Sequence, residues 1–124
     1  EASEIISVSF LNLGAVCDYF KSQNIDVLLA CASWNDRYNL EDSLFAGAVY
    51  DQIGQYFEMN CDSTRAAHHL YKAAKGDLYG FIQDSSHFHR LSKFGLQYDM
   101  EYCCKINMHN VLVRYLDGKL VINP

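Results

Sequence analysis

Apolar and polar positions along the chain alternate, run together or recur at helical spacing, and these patterns set its elements. Ile5-Ile6-Ser7-Val8-Ser9-Phe10 partly alternates and predicts a strand, after which Asn12 stands where it can cap a helix over about Leu13 to Ser22. That helix would hold Val16, Tyr19 and Phe20 on one side. Gln23-Asn24-Ile25-Asp26 then turns the chain into Val27-Leu28-Leu29-Ala30-Cys31-Ala32, an uncharged run too short for a typical helix and suited to a strand buried on both faces. Strand, helix and strand make a βαβ unit with the usual right-handed crossover. Its two parallel strands would end together, presenting Ser9, Asn12, Cys31 and Ser33 at one edge of the sheet.

Ser33-Trp34-Asn35-Asp36-Arg37-Tyr38 is polar and turn-rich, and Asn39 occupies an N-cap position. Leu40, Leu44, Phe45 and Ala48 then form an apolar stripe, with Glu41 and Asp42 in the first turn where the helix dipole favours negative charge. A third helix is expected through Ala66, Ala67, Leu70, Ala73 and Ala74, stopped near Gly76, and a short one restarts at Asp77. Ser85-Ser86-His87 opens a helix ended by Gly95, and Gln97 to Cys104 adds a turn or two. Val111 to Leu116 and Lys119 to Ile122 pair as a hairpin about Asp117-Gly118, a type I′ signal. The expected fold is a single α/β domain over residues 1–124, three-layered α/β/α, with a mixed β-sheet flanked by helices.

Composition narrows the function. Fifteen acidic against ten basic residues, with no basic run, leave nucleic acid and anionic membrane surfaces without a footing. No run reaches the ~18 apolar residues of a membrane span, and the start of the chain does not read as a signal peptide, so the expected location is the cytoplasm. Five cysteines without regular spacing fit free thiols. The chain begins Glu1-Ala2-Ser3, without Met, so the sequence can be a piece of something longer.

Arg37, Glu41 and Asp42 carry the candidate chemistry. A guanidinium grips phosphate or sulfonate with two parallel hydrogen bonds, and a nearby carboxylate holds Mg²⁺ or positions a water. The plainer reading is a capped helix with two dipole-favoured acids and a surface arginine. Cys31 could be a nucleophile near a helix N-terminus, or a small apolar residue. His68 and His69 are neighbours on a helix and point apart, and no cysteine set has zinc spacing. Ser85 and His87 open a helix whose N–H groups could receive an anion, or form an ordinary cap.

CASWNDRYNLEDSLFAGAVYDQI closely resembles the segment reading roughly CAG, two variable residues, GRFSLED, then LCAGA in the 2-phosphosulfolactate phosphatase family, named for a step in coenzyme M biosynthesis. Ser9-Phe10-Leu11-Asn12 is similar to the family's SFLN segment, and Leu70 to Asp77 to its alanine-containing helix. Ser85-Ser86-His87 with Arg90-Leu91 resembles its SSH segment, and Asp99 with Tyr102-Cys103 its late DxxYC element. The order is kept from about Ile5 to Ile122. The resemblance implies a Mg²⁺-dependent hydrolase of a small phosphate monoester, releasing sulfolactate and phosphate. By matching position, Arg37 would bind an anionic group and Glu41 or Asp42 would hold Mg²⁺ or orient water, making these three the catalytic candidates. Ser9, Asn12, Ser33, Arg37, Ser85 and His87 would contact substrate.

Two departures stand out. The family glycines after Cys-Ala and before the arginine are Ser33 and Asp36 here. Family members are also longer, and their N-terminal half carries an Asp-x-Phe-Arg-Ala-Thr-Thr and a Gly-Glu-Arg segment that this chain lacks. The expected partners are therefore the small anionic substrate and the missing N-terminal half of the same chain, with self-association through an uncovered sheet edge also foreseen and the isolated piece expected to be inactive. A catalytically silent small-anion binding or assembly domain is the alternative, favoured by Ser33 and Asp36 at glycine positions.

Overall fold

The computed structural model describes residues 2–123. Its elements are β1 (Ile6–Ser7), α1 (Leu13–Ser22), α2 (Leu40–Ile53), α3 (Asp62–Ala74), α4 (Leu78–Ile82), α5 (Ser86–Ser92), α6 (Gln97–Cys103), β2 (Leu112–Leu116) and β3 (Lys119–Asn123). The chain is thus of the α/β class, with helices beside a small sheet. Most helices lie where apolar spacing and capping chemistry put them. Asp77 starts α4 by accepting from the Gly80 amide at 2.8 Å, and Ser85 starts α5 by accepting from the Phe88 amide at 3.0 Å. Gly95 adopts φ +73°, the left-handed stop that glycine takes without a Cβ penalty. Asn39 stands at the N-cap of α2, though its side chain makes no capping hydrogen bond.

The core joins α1, α2 and α3. Leu13, Val16 and Leu44 are fully enclosed, and Phe10 meets Phe45 edge to face at 5.6 Å between ring centroids. α2 and α3 touch at Gly47, where an added Cβ would lie 2.1 Å from the Ala67 carbonyl oxygen. α2 bears its buried residues on more than one side, Ser43, Phe45 and Val49 as well as Leu44 and Ala48, because it is packed on several faces.

The sheet departs from expectation. β1, β2 and β3 lie in that order and both pairings are antiparallel, with Ile6 opposite Arg114 and Val113 opposite Ile122, so among the described residues the sheet is not mixed. The neighbour of β1 is the C-terminal segment. Asn107 and His109 donate to the carbonyls of Phe10 and Leu11 at 3.0 and 2.8 Å, and the Asn12 amide donates to the Val111 carbonyl at 3.2 Å. Ile5 to Phe10 consequently pairs only over Ile6–Ser7 before tightening into a 3₁₀ turn at Phe10–Asn12. The hairpin forms as expected, with Asp117 and Gly118 at φ +48° and +79°.

Val27 to Ala32 does not form the expected central strand, and the parallel βαβ pairing is absent among the described residues. Residues 24–33 make no backbone to backbone hydrogen bond with any described residue. Val27 and Leu29 pack on the core while Leu28 between them is 90% exposed. The physical reason is that an apolar run specifies burial, whereas a strand exists only through a partner's hydrogen bonds, and the pattern does not name the partner.

Candidate active site

A cavity of about 490 Å³ opens between the segment around Ile6 to Phe10, the segment Leu29 to Ala32, the start of α2, and α4 to α6. α2 delivers Glu41 and Asp42 into it from its first turn, α5 delivers His87, and α6 delivers Asp99. Glu41 Oε1 lies 2.6 Å from His87 Nδ1 and is otherwise a buried oxygen without a hydrogen-bonding partner. Arg90 Nη2 reaches the same Nδ1 at 2.9 Å. One ring nitrogen either donates to the carboxylate or accepts from the guanidinium, so a single proton position joins Glu41, His87 and Arg90. Arg90 is in turn stacked over the Trp34 ring, 4.3 Å from its centroid, which ties α5 to the polar loop before α2.

That loop is a two-residue hairpin. Trp34 and Arg37 exchange both backbone hydrogen bonds, at 3.0 and 2.9 Å, with Asn35 and Asp36 between them at φ +49° and +57°. A tight turn of this kind needs positive φ at both central residues, which glycine, asparagine and aspartate tolerate best. Ser33 before it also has φ +63°, and its amide donates to Asp42 Oδ2 at 3.0 Å. The two positions that are glycine in the resembled family therefore both require a left-handed backbone, and here a serine and an aspartate take it.

Of the residues singled out from sequence, Ser9, Glu41, Asp42, Ser85 and His87 line the cavity. Ser33 touches Asp42 from outside it, and Arg37 is exposed on the loop. Asn12 is buried and committed elsewhere: its Oδ1 accepts from the Ser9 amide at 2.9 Å and its amide group holds Val111. Ser85 spends its hydroxyl as a cap. Sequence reasoning missed Arg90 and Trp34 as neighbours of this site and did not assign Asp99 a role, and no spacing signal joins these residues because three separate elements bring them together. Cys31, Cys103 and Cys104 also line the cavity. Burial pushes the Cys31 thiol up, with Asp42 adding to it, and burial raises Cys104 to about 11, so both remain thiols at neutral pH.

This arrangement of two adjacent carboxylates, a histidine and a capped helix can now be set beside known proteins. The sequence profile of the 2-phosphosulpholactate phosphatase family matches residues 1–118. The chain belongs to the 2-phosphosulpholactate phosphatase family. It is 35% identical over 98% of its length to a probable 2-phosphosulfolactate phosphatase of Thermotoga petrophila, covering 52% of that protein. A protein of the same description from Gloeobacter violaceus is 32% identical over 91% of this chain and 47% of its own length. One from Caldanaerobacter subterraneus is 27% identical over 94% and 49%. The chain thus spans about half the length of these phosphosulfolactate phosphatase relatives.

The resemblance implies Mg²⁺, and Glu41 and Asp42 are the cavity residues that could hold such an ion. Mg²⁺ is commonly held by one or two carboxylates together with waters and substrate oxygens. Glu41 presents a buried oxygen whose one polar neighbour among the described residues is His87 Nδ1 at 2.6 Å, and Asp42 follows it at the same cavity wall. No group of three or more His, Cys, Asp or Glu poised for a metal occurs among the described residues. No helix among the described residues is long and apolar enough to cross a membrane.

Proposed function

We propose that this chain supplies one half of the active site of a Mg²⁺-dependent phosphate monoester hydrolase acting on 2-phosphosulfolactate, or on a similar small phosphorylated hydroxy acid, to give the free hydroxy acid and phosphate. The observation that carries the reading is the Glu41, Asp42 and His87 cluster in a cavity of about 490 Å³, in a member of this family. Glu41 and Asp42 would hold Mg²⁺, which when bound neutralises phosphoryl charge and acidifies a water. With Nδ1 protonated, His87 donates to Glu41 and keeps it oriented, while Arg90 packs over Trp34 beside the same ring. Arg37, exposed on the hairpin, would meet the carboxylate or sulfonate of the ligand.

Charge explains why this is half a site. Glu41, Asp42 and Asp99 line the cavity, and no Lys or Arg does among the described residues. A multiply anionic ligand would be repelled by that wall unless a cation and further donors faced it. The relatives' additional length is the natural source of those donors. Ser33 and Asp36 at left-handed positions favour a second reading as a catalytically silent small-anion binding or assembly domain.

The test is phosphate release by the full-length gene product from 2-phosphosulfolactate and from simple phosphate esters, with and without Mg²⁺. Arg37→Ala and Glu41→Ala should each lower kcat/KM by about 100-fold. Undiminished rates in both variants overturn the site, and calorimetric binding of sulfolactate without turnover by the parent supports the second reading.

A further inference from the structure

The segment Val27 to Ala32 is anomalous in a way the catalytic reading does not use. It is uncharged, its side chains alternate in burial from Val27 to Ala30 before Cys31 and Ala32 both face outward, and its backbone has no backbone partner among the described residues. Val27 and Leu29 lie against the core while Leu28 projects away and is 90% exposed, so apolar side chains stand on both faces. Unpaired backbone groups flanked by apolar side chains on two faces are the signature of a strand whose neighbour and cover are supplied from elsewhere. The cavity separates this segment from the one at Ile6 to Ser9, so the gap has strand-like walls on two sides.

We infer that Val27 to Ala32 is a docking edge, paired by β-augmentation with a strand from the part of the protein that corresponds to the relatives' unmatched length. The occupant is argued from that length. This chain covers 52% of the Thermotoga petrophila relative, so about as many residues again belong to the same polypeptide there, enough for a strand and for an apolar layer over Leu28. Pairing there would also close the cavity's open side and bring new side chains against Glu41 and Asp42. The inference rests on family membership and not on the phosphatase chemistry, and its readout is independent of turnover.

Backbone amide hydrogen exchange on the full-length gene product tests it. Amides of residues 27–32 should exchange about 100-fold or more slowly than an unstructured chain, in the range of the β2 amides of the same molecule. Leu28→Asp should remove at least about 10-fold of that protection while α2 and α3 keep theirs. In the wild type, Cys31 should resist iodoacetamide until denaturant is added, a measurement that stands even if the variant fails to fold. Exchange at the unprotected rate, or a gene product no longer than these 124 residues, overturns the inference. Protection lost on dilution together with dimer dissociation by light scattering overturns it in favour of a second copy.

Discussion

Gly47 holds the orientation of the helix that carries both candidate carboxylates, and replacing it by alanine sets two effects of opposite sign against each other. In an isolated helix the change gains about 1 kcal/mol, because glycine loses more backbone freedom than alanine. Here the new Cβ would stand 2.1 Å from the Ala67 carbonyl oxygen and 2.7 Å from both Ala67 C and Tyr71 Cβ. A carbon to oxygen contact settles near 3.3 Å or more, so α2 and α3 must part by roughly 1 Å. A gap of that size forfeits about a quarter to a half of each dispersion contact it opens. The atom struck is backbone, which has no rotamer into which to retreat, and this places the cost at about 3 kcal/mol, the upper end of ordinary overpacking. The net expectation is a loss of about 2 kcal/mol and a Tm lower by roughly 8 °C for a domain of this size. Urea denaturation of Gly47→Ala beside the parent, read by far-UV circular dichroism, measures it. A midpoint equal to or above the parent's would show that helix propensity governs this position and that the α2–α3 approach is looser than described.

The remaining expectations are smaller. Burial works against ionisation of Asp51, but its hydrogen bond to His68 at 2.9 Å and the nearby Lys75 outweigh this and hold its carboxyl below the usual range. Since that pKa is depressed, the stabilisation is complete above about 3.9 and is lost as pH falls through the folded value. Asp51→Asn should therefore cost about 0.5 kcal/mol at pH 7 and nothing near pH 2, and a difference independent of pH would refute the pairing. Hydrogen bonds from Ser63 and Thr64 lower the Cys61 thiol to about 7, while burial lifts Cys17 to about 11. Mass-spectrometric alkylation rates should then rise through a midpoint near 7 at Cys61, and Ser63→Ala with Thr64→Ala should move that midpoint up towards about 8.5. At Ser33, with φ +63°, Ser33→Gly should be at least as stable as the parent and Ser33→Val about 1 kcal/mol less so, an order that thermal melts would reverse if the loop were not left-handed.

Local chemistry was legible wherever a short stretch decides its own conformation. Asp77 and Ser85 announce helix starts because their side chains can reach an amide three residues on, and both do. Asp117-Gly118 announces a tight turn because it can take positive φ twice, and α1 to α3 follow from apolar spacing around cap positions. Glu41, Asp42, Ser85 and His87 line one cavity, and spacing alone leaves their segments separate, so only a likeness of motifs to a family gave reason to consider them together. What only the tertiary structure decided was partnership: that β1 pairs with residues near Arg114, that Asn12 is committed to Val111, that Arg90 sits on Trp34, and that Val27 to Ala32 finds no strand beside it among the described residues. Hydrogen bonding and stacking between distant segments depend on where whole elements come to rest in space, and a pattern of apolar and polar residues states how deeply each wishes to be buried without stating against what.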